Sequence, residues 1–215
     1  MIAGFYGKLP ARGDFVRSGL PRDFTDPWDA WLAQAIAGSR ARMGGHWLPA
    51  FLEAPVWRFV LAPQLCGERA VSGLMLPSVD RAGRYFPLTF AALFDGSAAA
   101  ADAAWLDRCE SAGRAALEQD ATPEQIGAML GAPAAARSPG EIGPLQSLWW
   151  TDGAPRVPAT NLVISGMPDA CVYATMLDAT TATDADQAAN AAQMPKDWDP
   201  VSDTPAGGDP WEPPS

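Results

Sequence analysis

Residues 73–94 read Gly-Leu-Met-Leu-Pro-Ser-Val-Asp-Arg-Ala-Gly-Arg-Tyr-Phe-Pro-Leu-Thr-Phe-Ala-Ala-Leu-Phe, two apolar runs joined by a charged turn. The runs 73–76 and 85–94 are short and bounded by proline, glycine or charge, which predicts two buried strands. The turn 80–84 holds one acid and two arginines, and its Gly83 can adopt a positive φ. Three interpretations are open: a solvated hairpin tip, a guanidinium pair offered to a partner, or an internal ion-pair lock.

The segment before this stretch predicts a strand, a charged loop and a long helix. Residues 2–7 are apolar, and residues 8–17 contain proline, glycine and several charges, which is typical of a loop. A helix is expected from Thr25 or Asp26, with Pro27 in its first turn and Gly44-Gly45 at its end. Its core face repeats at helical spacing through Phe24, Trp28, Trp31, Leu32, Ala35 and Ile36.

The remaining elements follow from the same criteria of periodicity, capping residues and turn residues. Residues 55–94 are predicted to form a three-stranded antiparallel meander. Trp149 and Trp150 should point to opposite faces of a strand. The other predicted elements are a short amphipathic helix at 46–53, helix 97–119, helix 123–131, loop 132–144, strand 147–151, a turn at Asp152-Gly153, strand 161–165 and a short helix at 169–177.

These elements predict an α/β fold of the α+β type, with a central, mainly antiparallel sheet and helices packed on it. Residues 1–178 are expected to be one domain. From residue 179 onward apolar periodicity stops, and six prolines fall within the last 21 residues. The segment 179–215 holds seven acidic residues against Lys196, which gives −7 + 1 = −6 of the net charge of −10. It is predicted to be a disordered acidic tail.

Composition excludes several functional classes. A hydrophobic fraction of 48% supports a real core. The net charge of −10 argues against nucleic acid as a partner. Cys66, Cys109 and Cys171 are far apart, which favours buried thiols in a reducing compartment. The sequence has no signal-peptide pattern and no apolar run of about 18 residues, so a cytoplasmic protein without membrane insertion is expected.

Catalytic motifs are not found. His46 is the sole histidine, is expected to be buried or capping, and has no G-x-S-x-G beside it. No zinc spacing and no phosphate-binding glycine loop occur, so neither a metal nor a cofactor is expected. Asp14, Asp80 and Asp152 would have to converge to form a hydrolytic or metal-binding cluster, yet each lies in a turn where Asp is favoured anyway. A protein-binding module is favoured over a hydrolase or phosphatase-like enzyme that uses these three aspartates.

Several long motifs, in this order along the chain, carry a family resemblance. They are Gly4-Phe-Tyr-Gly-Lys-Leu-Pro-Ala-Arg-Gly-Asp-Phe15, Leu20-Pro21, Asp26-Pro-Trp-Asp-Ala-Trp31, Ala54-Pro-Val-Trp-Arg-Phe59, Met75-Leu-Pro-Ser-Val-Asp-Arg-Ala-Gly-Arg-Tyr-Phe-Pro-Leu-Thr89 and Ser147-Leu-Trp-Trp-Thr-Asp-Gly153. With these motifs the chain resembles the TagF family, also called ImpM, which is associated with bacterial type VI secretion. The resemblance covers residues 2–178 and leaves out the tail.

The resemblance implies a cytoplasmic accessory protein that represses type VI secretion post-translationally. Members are thought to bind the forkhead-associated scaffold protein of the apparatus, independently of its threonine kinase–phosphatase switch. Some relatives are fused to a serine/threonine phosphatase, which for this chain would be a separate polypeptide. A structural subunit of the secretion machine is a further alternative. The family motifs place the expected partner-binding residues at Arg12, Asp14, Asp80, Arg81, Arg84, Trp149, Trp150 and Asp152.

Overall fold

One seven-stranded antiparallel sheet forms the centre of the computed structural model, which describes residues 1–95, 99–138 and 142–182. The helices are α1 (Arg22–Met43), α2 (Trp47–Leu52), α3 (Ala103–Glu118), α4 (Pro123–Leu130) and α5 (Ala170–Leu177). The strands are β1 (Ile2–Gly7), β2 (Val16–Ser18), β3 (Trp57–Leu61), β4 (Ala70–Leu76), β5 (Leu88–Phe94), β6 (Ala99–Ala101), β7 (Ala135–Arg137), β8 (Gln146–Thr151) and β9 (Thr160–Ser165). The strand order in the sheet is β2-β1-β5-β4-β3-β8-β9, so the predicted fold class is confirmed.

The stretch quoted at the outset forms the centre of the sheet. Every residue of β4 and β5 is buried, because these strands lie between others and are covered on both faces. Gly73 is required there, since a Cβ on it would lie 2.0 Å from the carbonyl oxygen of Phe90. With β3 paired to β4 and β4 paired to β5, both antiparallel, the predicted meander is confirmed.

The two faces of the sheet carry separate cores. On one face, α1, α2 and α5 cover an aromatic cluster in which the rings of Trp28, Phe59 and Trp149 lie 4.8–6.2 Å apart. The indole Nε1 of Trp28 donates to Thr89 Oγ1 at 3.0 Å, which ties α1 to the central strand β5. On the other face, α3 and α4 bury Trp105 and its apolar neighbours. The long helical stripe predicted at Trp28 is therefore core.

Helix α1 begins at Arg22, several residues before the predicted start at Thr25 or Asp26. The carbonyl of Pro21 accepts the amide N–H groups of Phe24 and Thr25 and so begins the helix earlier. Thr25 is buried and caps nothing. Pro27 consequently lies in the second turn, where its missing N–H leaves out one hydrogen bond to the preceding turn. The predicted end at Gly44, which has φ +56°, is confirmed.

Two short strands lie where other structure was predicted. Ala99–Ala101 pairs with Ala135–Arg137, although the first segment was expected to start a helix and the second to be a loop. Asp102 explains the later start of α3, because its side chain accepts the amide N–H of Trp105 at 2.9 Å and that of Ala134 at 2.6 Å. It thus caps α3 and fastens the chain beside β7.

The strand β2 was also missed, because two of its three residues belong to the predicted loop 8–17. It pairs with β1 over three residues, with Val16 opposite Gly7. The capping box at Thr122 and Gln125 is present, and Asp169 caps α5, so the predicted α4 and α5 are confirmed. The predicted tail lies outside the described residues except for 179–182, in which Ala179–Thr181 forms one 3-10 turn.

Two of the three cysteines are buried. Cys66 and Cys109 are buried as predicted, and burial raises the pKa of Cys66 to about 12. Cys171, in contrast, is half-buried beside Arg42, which corrects the expectation for that residue. Within the described ranges, no helix combines the length and apolar character needed to cross a membrane.

We expect Trp28→Ala to lower the free energy of unfolding by about 3–5 kcal/mol, because it removes a fully buried ring and leaves a cavity. Urea denaturation followed by far-UV circular dichroism measures this change. Leu52→Ala is the control, since that side chain is 55% exposed and its loss should cost under about 1 kcal/mol. Equal effects of the two substitutions would contradict the assignment of Trp28 to the core.

Candidate interaction surface

The loops that carry the predicted charged residues leave the sheet at the same end. β1 ends beside the start of β5, with Tyr6 opposite Thr89. β8 ends at that side too, because Trp150 pairs with Arg58 near the start of β3. The hairpin from β4 to β5 closes between these strands. The antiparallel register therefore gathers the loop after β1, the β4–β5 hairpin and the turn after β8 at one end of the sheet.

A buried ion pair joins two of these segments. Lys8 Nζ lies 2.5 Å from Asp80 Oδ2, and the two side chains are only 5% and 0% exposed. Burial alone would raise the pKa of Asp80, but the hydrogen bonds from Lys8, from Arg84 and from two backbone amides outweigh burial and lower that pKa. Asp80 is therefore a fixed carboxylate at the base of the hairpin tip.

Arg84 completes this lock. Its Nε donates to Asp80 Oδ2 at 2.6 Å, and its backbone N–H donates to Asp80 Oδ1 at 2.9 Å. The other end of the same guanidinium donates to the Gly13 carbonyl and lies 3.7 Å from Asp14 Oδ1. Of the three interpretations of the charged turn, the internal ion-pair lock applies to Asp80 and Arg84.

Backbone contacts make the two segments a single unit. The amide N–H of Arg81 donates to the Arg12 carbonyl at 2.9 Å. Ser78 Oγ donates to the Lys8 carbonyl at 2.7 Å. The loop after β1 and the hairpin are thus held to each other by main-chain and side-chain bonds, and the side chains that remain outside are presented from a fixed base.

An exposed aromatic ring lies over this base. The ring of Phe15 is stacked on Tyr6 at a centroid distance of 5.5 Å and meets Phe86 edge-on at 4.8 Å. Lys8 Nζ is 4.8 Å from the centroid of the Phe15 ring. Phe15 nevertheless remains 45% exposed. A large apolar side chain is therefore both immobilised and open to a partner.

We define the loop–hairpin surface as Arg12, Asp14, Phe15, Arg81 and Arg84. Arg12 is exposed and lies 4.0 Å from Glu124. Arg81 is exposed and has no ion-pair partner in the described part of the chain. The side chain of Arg84 is 57% exposed in spite of its bonds. Three guanidinium groups and a phenyl ring thus share one rigid surface on an otherwise acidic protein.

Asp152 belongs to a second surface at the same end. Its Oδ2 lies 2.6 Å from Arg58, which also binds Glu110 at 2.8 Å. Asp152 and Arg58 line a cavity of about 390 Å³ between α3, the start of β3 and the turn 151–155, which we call the cleft. None of the other predicted charged residues lines the cleft, so the sequence-predicted site is divided between two surfaces.

The two tryptophans of β8 point to opposite faces, as predicted. Trp149 is fully buried against α1, and its Nε1 donates to Ser147 Oγ at 2.9 Å. Trp150 is half-buried on the other face. Trp149 and Asp80 were both expected among the partner-binding residues, but neither side chain reaches the surface. Trp149 packs in the core, and Asp80 forms the internal ion pairs with Lys8 and Arg84.

The three aspartates of the alternative enzyme hypothesis do not form one cluster, because Asp14 and Asp80 both contact Arg84 whereas Asp152 lies on another surface. Asp80 is enclosed by its donors, Asp14 is fully exposed beside Arg84, and Asp152 lies in the cleft. No group of three or more His, Cys, Asp or Glu residues that could hold a metal occurs in the described ranges. His46, expected to be buried or capping, is instead exposed in a 3-10 turn between α1 and α2 and caps nothing.

Four residues that shape these surfaces were not identified from the sequence: Lys8, Phe15, Arg58 and Glu110. For two of them, a charge next to or inside an apolar strand could have indicated a buried ion pair. Lys8 directly follows an apolar strand, and Arg58 interrupts another, so each charge required a partner if the strand was buried. The identity of those partners could not be inferred, because Lys8 and Asp80 are 72 residues apart in the chain.

Comparison with known proteins gives two findings. A family model described as the TagF N-terminal domain, type VI secretion system-associated, matches residues 4–132. The chain is also similar to the crystal structure of PA0076 from Pseudomonas aeruginosa PAO1, with 37% sequence identity and a TM-score of 0.73. That similarity covers 82% of this chain and 94% of the other. Among curated proteins no match was found.

We expect Lys8→Met to lower the melting temperature by about 10 °C, because it leaves the Asp80 carboxylate buried without its closest cation. Differential scanning calorimetry measures the change. Arg81→Ala is the control, since the Arg81 side chain is exposed outside the lock, and we expect its melting temperature to stay within about 2 °C of wild type. Equal melting temperatures for Lys8→Met and wild type would show that the buried pair does not stabilise the fold.

The lowered pKa of Asp80 predicts a pH dependence with a definite sign. The unfolded chain binds a proton at Asp80 near pH 4, before the folded protein does, so acid favours unfolding. The stability advantage of wild type over Asp80→Asn should therefore be complete above about pH 4 and shrink below it. Urea titrations at pH 6, 4 and 2.5 measure the advantage, with Asp14→Asn as an exposed control. A constant advantage over this range would contradict the prediction.

Proposed function

The chain belongs to the TagF family of type VI secretion-associated proteins, and we propose that it is a non-enzymatic, post-translational repressor of such a secretion system. It acts in the cytoplasm by binding the forkhead-associated scaffold protein of that system, and thereby keeps the scaffold from supporting secretion. The single observation that carries the proposal is the loop–hairpin surface, a rigid, exposed set of aromatic and arginine side chains.

The composition of this surface supports protein binding. Aromatic residues and arginine are the types most often found at the energetic centre of protein interfaces. Phe15 offers apolar area, and Arg81 offers a guanidinium without an ion-pair partner in the described residues. Phe15 is already held by Tyr6 and Phe86, so fixing its ring against a partner costs little conformational entropy.

The rigidity of the base supports the same proposal. The Asp80 carboxylate accepts four hydrogen bonds, Arg84 also donates to the Gly13 carbonyl, and Phe15 is held by two aromatic contacts. A surface that keeps its shape when free binds with less reorganisation. Asp80 is enclosed by Lys8 and Arg84, and Asp152 lies in the separate cleft, so the aspartates do not form the convergent cluster that a hydrolase would need, which favours a binding role.

Co-purification tests the function directly. The forkhead-associated scaffold protein of the same secretion system is immobilised, and the chain is added at micromolar concentration. We expect the chain to be retained on the scaffold. A forkhead-associated domain from an unrelated protein serves as the control for non-specific retention. Absence of retention at that concentration would refute the binding claim, and retention by the unrelated domain would refute its specificity.

We expect Arg81→Ala and Phe15→Ala each to weaken scaffold binding by about 1–3 kcal/mol, which raises Kd by about 5–150-fold. Isothermal titration calorimetry measures Kd, and calorimetric melting verifies that the fold is intact. Arg22→Ala is the matched control, since this exposed arginine begins α1 at the opposite end of the sheet. An equal loss of binding in Arg22→Ala would mean that overall charge, and not this surface, determines affinity.

A further inference from the structure

The cleft lies apart from the loop–hairpin surface and has its own chemistry. It opens between the end of α2, the second half of α3 and the turn 151–155, with β3 and the end of β4 behind it. Its volume of about 390 Å³ falls within the range of protein pockets that hold small ligands or side chains.

The cleft has an apolar lining. Its apolar residues include Val56 just before β3, Leu76 at the end of β4 with Pro77 after it, and Leu117 on α3. Leu52 also lines the cleft and is 55% exposed. Apolar area that remains this open next to a cavity favours an occupant with its own apolar atoms.

The charged side chains that line the cleft are predominantly negative. Two arginines, Arg58 and Arg114, face four carboxylates, which gives +2 − 4 = −2. The carboxylates are Glu53, Glu110, Glu118 and Asp152.

Both carboxylate oxygens of Glu110 are paired with arginines. One accepts a hydrogen bond from Arg58 at 2.8 Å, and the other accepts one from Arg114 at 2.7 Å. Arg58 itself is only 12% exposed, and Asp152 covers its other amino group at 2.6 Å. The arginines of the cleft are therefore neutralised by its own carboxylates.

Negative charge is left over at two places. The Asp152 side chain is 85% exposed and bonds Arg58 through one oxygen, so the second oxygen is available. Glu118 is exposed and forms no ion pair with any residue that the structure describes. The uncompensated charge of the cleft is therefore negative, which disfavours anionic ligands.

We propose that the cleft binds an arginine or lysine side chain of a partner polypeptide, together with an apolar residue beside it. The aliphatic stem of such a side chain lies along Leu117 and Val56, and its cationic head bonds Asp152 and Glu118. Long basic side chains combine apolar and charged parts in this way, and charge-assisted hydrogen bonds to carboxylates are among the stronger ones. The cleft is thus a second docking site, of opposite charge preference to the loop–hairpin surface.

Peptide binding tests the proposal. The probes are acetyl-Leu-Arg-Leu-amide and its matched counterpart acetyl-Leu-Glu-Leu-amide, titrated into the full chain with ¹³C-labelled leucine methyl groups and followed by NMR. The arginine peptide should shift the methyl signals of Leu52 and Leu117, and the glutamate peptide should not. Equal shifts from both peptides, or shifts confined to other leucines, would overturn the proposal.

Substitutions identify the groups responsible. Glu118→Gln breaks no ion pair of the described protein, and combined with Asp152→Asn it should weaken binding of the arginine peptide about tenfold. Glu68→Gln, an exposed site in the loop between β3 and β4 at the opposite end of the sheet, is the control and should leave Kd unchanged. Unchanged affinity in both Glu118→Gln and the double variant would refute the proposal.

A second copy of this chain is the competing occupant. If it fills the cleft, the Leu52 and Leu117 signals should move with protein concentration in the absence of peptide, and this result would overturn the proposal. Signals independent of concentration, followed by shifts on addition of the arginine peptide, support it. Because no scaffold protein enters the experiment, the result does not depend on the repressor function proposed above.

Discussion

The carboxylate of Asp80 is the constraint on which one end of the molecule depends. A charge this deeply buried persists only if cations and hydrogen-bond donors surround it, and its donors come from two separate parts of the chain. Lys8 arrives from the loop after β1, and Arg84 with two backbone amides arrives from the hairpin itself. The hydrogen bonds to the Asp80 carboxylate therefore fix the position of one loop against the other. The exposed residues around Asp80 are consequently attached to a rigid backbone.

The sheet end presents two surfaces with opposite preferences. The loop–hairpin surface carries three guanidinium groups and an exposed ring, whereas the cleft pairs both of its arginines with Glu110 and leaves Asp152 and Glu118 exposed. A partner that offered acidic and basic groups in the matching order would be oriented by both, since complementary charge contributes to register and specificity more than to raw affinity. The sequence pattern had grouped Asp152 with the charged residues of the hairpin, but the fold places it on a separate surface.

The sequence predicted those parts of the fold that have a local cause. The buried strands β4 and β5 follow from continuous apolar runs, and α4 follows from a capping box that its own residues complete. Three-residue strands such as β6 and β7 are too short to show an alternation of apolar and polar residues, and alanine by its own propensity favours a helix. The pairing of these two strands with each other therefore overrides the local preference. The site was predictable as a set of charged turns, but the pairing of Lys8 with Asp80 spans 72 residues and leaves no local trace.

The strand order has a consequence for how the chain folds during synthesis. β1 is synthesised long before its partner β5, which is complete only at residue 94, after the whole of α1 and the β3–β4 hairpin. At translation rates of about 5–20 residues per second, several seconds pass in which β1 can pair with β2 while its other edge has no partner. Such long-range pairing slows folding and leaves β1 exposed to chaperones or to misassociation in the meantime. The edge of β1 that faces β5 is therefore open in the nascent chain and covered in the finished protein.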